Sequence, residues 1–160
     1  MVRENLKKCF SLYDLGLPAP LAGNAVVDEY IRMIRERKLK FPRGYVPVHG
    51  DNFCAMFVSL DLMETGYWNL IECGAQRMMD KFKNAGLLFD KLPEDVDLNK
   101  DLVVVFYDWQ RNGWVDHVGW LLTPYQDEFY ITLEGNVEKQ IRKVTRLSTK
   151  PVAYGVIRNV

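Results

Sequence analysis

The chain is short of the residues on which catalysis and cross-linking most often depend. It has two histidines, His49 and His117, and three cysteines, Cys9, Cys54 and Cys73, with no C-x-x-C pair. An odd cysteine count without paired spacing argues against a disulfide framework and against a four-cysteine zinc site. Net charge is also lacking. Lys plus Arg number 21 and Asp plus Glu number 21, so no overall positive field draws the protein to nucleic acid. No run of about 18 apolar residues exists to cross a bilayer. The opening MVRENLKKCFSLYDLG carries charges but no apolar stretch of signal-peptide type. The expectation is a chain made in a reducing cytoplasm without a signal peptide.

What remains is ample for one domain. The 160 residues are 48% apolar and 26% charged, a globular composition with enough apolar material for a core. Pro18 and Pro20 suggest a loop or arm at the start. Asn24 can cap a helix with Val27, Ile31 and Ile34 at helical spacing, running to about Lys40 before Pro42 and Gly44. Asp51 or Asn52 can cap a second, amphipathic helix that carries Ala55, Val58 and Leu62 on one face and ends at Gly66. A third helix spans roughly Ile71–Asn84 and stops at Gly86. The texture then changes. LVVVFY (Leu102–Tyr107) reads as a buried strand, and HVGWLL, EFYITLE, KQIRKVT and VAYGVI follow at short spacing. Helices first and strands second predict an α+β fold, with N-terminal helices packed on a mostly antiparallel sheet of about five or six strands. Residues 1–45 read as an arm and helix of the same domain, and residues 46–160 as its core.

One cysteine stands out. HGDNFCAMFVSL places Cys54 in the first turn of the second helix, where unpaired backbone N–H groups favour negative charge. Thiolates become reactive in such settings. A partner is also legible. If Thr123-Pro124 opens a turn reaching Asp127, Val118, Trp120 and Leu122 face Leu133, Ile131 and Phe129 on an apolar side of a hairpin. The polar side then sets His117 directly opposite Glu134, with β-carbons about 5 Å apart. Gly119 leaves space above the sheet for another element to approach. Asn136 shares Glu134's side if the strand stays regular. Packing the helix on this sheet makes a Cys54–His117–Glu134 triad: a thiol nucleophile, an imidazole base and a carboxylate that orients it. The Cys54 backbone N–H can donate to an oxyanion, and His49 and Asn52 lie near enough in sequence to supply the second donor.

Other features have plainer readings. Asp95, Asp97, Asn99 and Asp101 alternate as in a calcium loop, but Lys100 stands where glycine is required and Phe106 where glutamate is, so a solvated turn is expected and no metal or cofactor. Cys9 and Cys73 read as incidental and core thiols, Cys73 on the third helix. Trp109 and Trp114 flank QRNG in a hairpin turn. They either pack on the sheet or form a cleft wall for substrate.

NFCAMFVS, DHVGWLL and ITLEGN, in that order, resemble the three motifs of CHAP-type peptidoglycan hydrolases, papain-like cysteine amidases and endopeptidases common among bacteriophage endolysins and bacterial autolysins. The likeness runs from about Val48 to Arg158. It implies Cys54 as nucleophile, His117 as base, Glu134 as orienting residue and Asn136 as a helper. Phe53 stands where the family usually has Trp. The resemblance further implies a papain-like fold, peptidoglycan as substrate, a monomer, and action at the cell wall after holin-type or other release. Two other readings stand beside it. One is a papain-like protein protease or an acyltransferase using the same thioester. The other is a non-catalytic module that binds wall peptides or a protein.

Overall fold

A computed structural model describes residues 2–126, 128–147 and 150–160. The chain forms α1 (Val2–Asn5), α2 (Lys7–Asp14), α3 (Leu21–Glu36), α4 (Cys54–Glu64) and α5 (Ala75–Asn84). Six strands follow: β1 (Leu88–Phe89), β2 (Leu102–Tyr107), β3 (His117–Gln126), β4 (Phe129–Val137), β5 (Gln140–Leu147) and β6 (Ala153–Ile157). The strands make one antiparallel sheet in the order β1-β6-β2-β3-β4-β5. This is the α+β arrangement that the run of helices followed by strands leads one to expect. Among the described residues no helix is long and apolar enough to cross a membrane.

The LVVVFY run becomes β2, buried at every position because both faces of the sheet are covered. On one face Val104, Phe106, Val118, Trp120 and Leu133 join α4 in the main core. On the other, Val103, Val105, Tyr107, Leu121 and Tyr130 are packed by Leu92, Val96 and Leu98 from the segment ahead of β2.

Helix α4 is not amphipathic. Every residue from Cys54 to Met63 is buried, since β3 and β4 cover one side and α2 and α3 the other. Its C-terminus closes as the sequence suggests: Gly66 takes φ 91° and donates to Met63 O, while Tyr67 N–H donates to Leu62 O at 2.7 Å. The start of the chain is helical rather than an arm. The buried carboxylate of Asp61, in the middle of α4, accepts the backbone N–H groups of Lys8 (3.1 Å) and Cys9 (2.9 Å), and so caps α2 from another element. The Cys9 thiol donates to Phe57 O at 3.1 Å, which gives this thiol a structural role.

Three boundaries differ from the sequence reading. Helix α3 starts at Leu21, after Pro20, rather than at an Asn24 cap, and ends at Glu36. Helix α5 starts only at Ala75, because Glu72 is held in an extended approach by Ser59, whose Oγ donates to Glu72 O and accepts Glu72 N–H, both at 3.0 Å. Cys73 therefore precedes the helix, half-buried, with its sulfur 3.3 Å from the Tyr30 hydroxyl. Strand β3 does not turn at Pro124 but runs on to Gln126; Asp127, the end of the expected turn, lies outside the described residues. Pro124 is tolerated there because the pairing of β3 with β2 ends at Trp120. The Thr123 hydroxyl accepts Ile131 N–H at 3.0 Å where the ladder is irregular.

Candidate active site

The late turn moves the β3–β4 register by two residues. Trp120 pairs with Leu133 and Leu121 with Thr132, where the sequence reading set Ile131 and Tyr130. A shift of two preserves which side chains share a face, so His117 and Glu134 stay on one side while ceasing to be direct partners. Glu134 instead lies over Gly119. A Cβ built on Gly119 would stand 2.5 Å from Glu134 Cγ. The space left by this glycine thus houses the glutamate's own side chain, not another element. From there Glu134 Oε1 reaches His117 Nε2 at 2.5 Å.

Cys54 is the first residue of α4. Neither Asp51 nor Asn52 caps the helix: the N-cap is Phe53, with no side-chain cap bond. Asp51 is turned to its own loop, accepting the Tyr45 hydroxyl at 2.6 Å and Val48 N–H at 3.0 Å. The helix start is fitted closely against β4 and α3 by one glycine on each. A Cβ on Gly135 would meet Phe57 Cβ at 2.8 Å and the Phe53 ring at 3.1 Å, and one on Gly23 would meet Phe53 at 2.7 Å. The thiol and the imidazole therefore come from opposite faces of the sheet. Cys54 begins a helix on one face, and His117 begins a strand whose side chain belongs with Tyr107 on the other. Each is the first residue of its element, and their neighbours Phe53 and Gly135 lie together. With Nε2 held by Glu134, Nδ1 is the ring nitrogen left for a second partner.

The carboxylate is more heavily engaged than a polar sheet face suggests. Glu134 is fully buried. It accepts the Thr132 hydroxyl, and Arg146 forks onto it, Nε to Oε2 at 3.1 Å and Nη2 to Oε1 at 2.5 Å. Burial alone would favour the neutral acid, but the hydrogen bonds from His117 and Arg146 override it and hold Glu134 down at about 2. Burial likewise opposes a charge on His117, and the influence of the Cys54 thiol and the hydrogen bond to Glu134 override it, raising the imidazole to about 9. The group is thus poised as imidazolium against a buried carboxylate.

Arg146 was not found from sequence. Arg142 stands opposite Glu134 in the ladder, and register alone would select it. Arg142 instead turns to Gln140 (3.0 Å) and Glu138 (3.0 Å). Arg146, opposite Tyr130, takes the carboxylate, and its guanidinium also lies over Trp109 at 4.8 Å.

Asn136 does not touch His117. The β4–β5 pairing is irregular past Glu134, and Asn136 takes φ 63°, so the strand does not stay regular that far. Its Nδ2 donates to Asn52 Oδ1 at 3.2 Å. Asn52, Trp109, His117, Asn136 and Arg146 line one cleft of about 590 Å³. Trp109 both packs and lines: its ring is stacked on Tyr107 at 4.5 Å. Trp114 and His49 do not line this cleft. Trp114 is exposed on the same loop as Trp109, and His49 Nε2 is bound to Asp28 at 2.7 Å, on α3. Two acids of the calcium-like stretch are taken up by Arg158, which pairs with Asp95 (3.0 Å) and Asp101 (3.4 Å), while Asp97 accepts Asn99 N–H at 2.9 Å. Among the described residues no group of three His, Cys, Asp or Glu side chains converges to hold a metal ion. Comparisons of the chain with protein families, curated proteins and solved structures found no match.

Proposed function

We propose that this protein is a papain-like cysteine hydrolase that cuts an amide bond of peptidoglycan, as its likeness to CHAP-type enzymes implies. The observation that carries the reading is the buried His117–Glu134 pair, with Arg146 behind it, at one end of a sheet on which α4 packs with Cys54 as its first residue.

The thiolate of Cys54 attacks the amide carbonyl carbon. The resulting oxyanion is met by the Cys54 N–H, which has no intrahelical acceptor in the first turn. The Asn52 side chain is the second donor. Asn136 occupies its Oδ1, which leaves the Asn52 amide NH₂ free to point at the oxyanion. As the C–N bond breaks, imidazolium His117 gives its Nδ1 proton to the leaving amine. A thioester remains. Neutral His117 then takes a proton from water, the hydroxide adds to the thioester, and the acid leaves as thiolate is restored. Glu134 keeps the ring in the tautomer and orientation that both steps need.

Incubation of purified sacculi with the protein, followed by mass spectrometry of the released ends, tests the reading. New amino and carboxyl ends that are absent with Cys54→Ala are expected. Intact sacculi with folded wild-type protein would sink it, and retained pull-down of uncut sacculi would favour a binding module.

A further inference from the structure

A second cleft, of about 290 Å³, lies on the other side of Asn52, which lines both, and is walled by Arg43, Tyr45, Asp51, Cys73 and Arg77. The two neighbouring clefts differ in charge. In the His117 cleft the one arginine, Arg146, is committed to Glu134. In the second cleft Arg77 is exposed and has no ion-pair partner among the described residues. Its Nη1 comes within 3.5 Å of where a Cβ on Gly74 would stand, so the side chain lies back over that glycine, another residue of the cleft lining. Arg43 is only loosely paired, at 3.8 Å from Glu72, whose carboxylate is buried and also faces Lys81 at 3.5 Å and Cys73 N–H at 2.8 Å. Asp51 is the one acid in the lining, and its carboxylate is turned to Tyr45 and Val48. Unspent positive charge is therefore gathered in this cleft alone.

Direction across the two clefts follows from the chemistry. His117 protonates the leaving amine, so the leaving half lies in the His117 cleft and the acyl half extends past Asn52 into the second. From this we infer that the Arg43–Arg77 cleft binds a free carboxylate on the acyl half of the substrate. This rests on the hydrolase reading and narrows it. Cleavage falls within the stem peptide, on the carbonyl side of an acidic residue, and not at the bond between sugar and peptide.

The test uses two synthetic stem peptides that differ only in a carboxylate or carboxamide on the acyl side of the scissile bond. Wild-type protein should prefer the carboxylate, and Arg77→Met should raise its KM about tenfold with kcat unchanged, the weight of one modest charge-assisted hydrogen bond. The carboxamide peptide should be indifferent to that substitution. Equal turnover of both peptides by wild type, or an equal loss on both in Arg77→Met, overturns the assignment. Binding of the same peptides to the Cys54→Ala protein, and to it carrying Arg77→Met, separates this from the hydrolase reading. Carboxylate binding that depends on Arg77 supports the cleft even if sacculi stay uncut, and its absence refutes the cleft even if they are digested.

Discussion

Glu134 lies over Gly119, the residue two along β3 from the histidine it holds. A Cβ at that position would sit 2.5 Å from Glu134 Cγ and 3.3 Å from its carboxyl carbon. Gly119→Ala should therefore push the carboxylate off His117. A misplacement of about 1 Å can cost about 10²-fold in rate. We expect at least that loss on sacculi, with a fall in stability of only about 1–3 kcal/mol, the range for overpacking. Full activity in a folded Gly119→Ala protein would show that Glu134 does not orient the ring.

Glu134→Gln and Asn136→Ala should separate cleanly. Loss of an orienting acid can reduce turnover by up to about 10⁴-fold, so at least about 10²-fold is expected for Glu134→Gln. Because Glu134 is buried against Arg146, that variant should also melt below the parent. Asn136→Ala frees the Asn52 amide to rotate and should cost about tenfold, the scale of one hydrogen bond, with little change in melting. Initial rates and thermal unfolding of both variants decide. If Asn136→Ala is the more damaging, the amide and not the carboxylate serves the histidine.

Acidity should leave a signature in both stability and rate. His117 is raised from 6.5 to about 9, so its stabilising contribution is complete below pH 6.5 and drains away as pH climbs to 9. Glu134 is lowered from 4.5 to about 2, so its contribution is complete above pH 4.5 and is lost as pH falls toward 2. Melting temperature should plateau between these limits. Turnover should decline on the alkaline side near pH 9, where the imidazolium that protonates the leaving amine is lost. In Cys54→Ala one of the influences that raise His117 is gone, and the ring should titrate lower by NMR.

The three thiols should differ in reactivity. Cys9 is fully buried and pushed well above the ordinary thiol range by burial and by Asp61, and Cys73 is also raised by burial. Iodoacetamide at pH 6 should label Cys54 first, since it alone of the three stands in the unpaired first turn of α4. Labelling of Cys73 ahead of Cys54, with Cys54→Ala still active, would remove Cys54 from the mechanism.

Cys54, His117 and Glu134 were legible in sequence for different reasons. A helix start and a strand alternation are local patterns, and face membership survives a register error of two residues. The direct pairing of His117 with Glu134 was misread because Pro124 looked like a turn, while the end of the β2 ladder lets it stay in a strand. Arg146 was hidden because the choice between it and Arg142 depends on where two long side chains lean, which no periodicity records. The docking of α2 was hidden too: nothing local marks Asp61, in mid-helix, as the cap of a helix more than fifty residues earlier.

The strand order carries a consequence for biosynthesis. The last strand, β6, slots between β1 and β2 rather than adding to an edge. All the groups of the site and its second cleft are translated before it, yet until β6 emerges β2 has an unpaired side, open to any other strand. A ribosome-bound chain thus carries Cys54 and His117 before it has the closed sheet that holds them in place. The sheet is completed only when β6 is made, and a chain cut short ahead of Ala153 should aggregate.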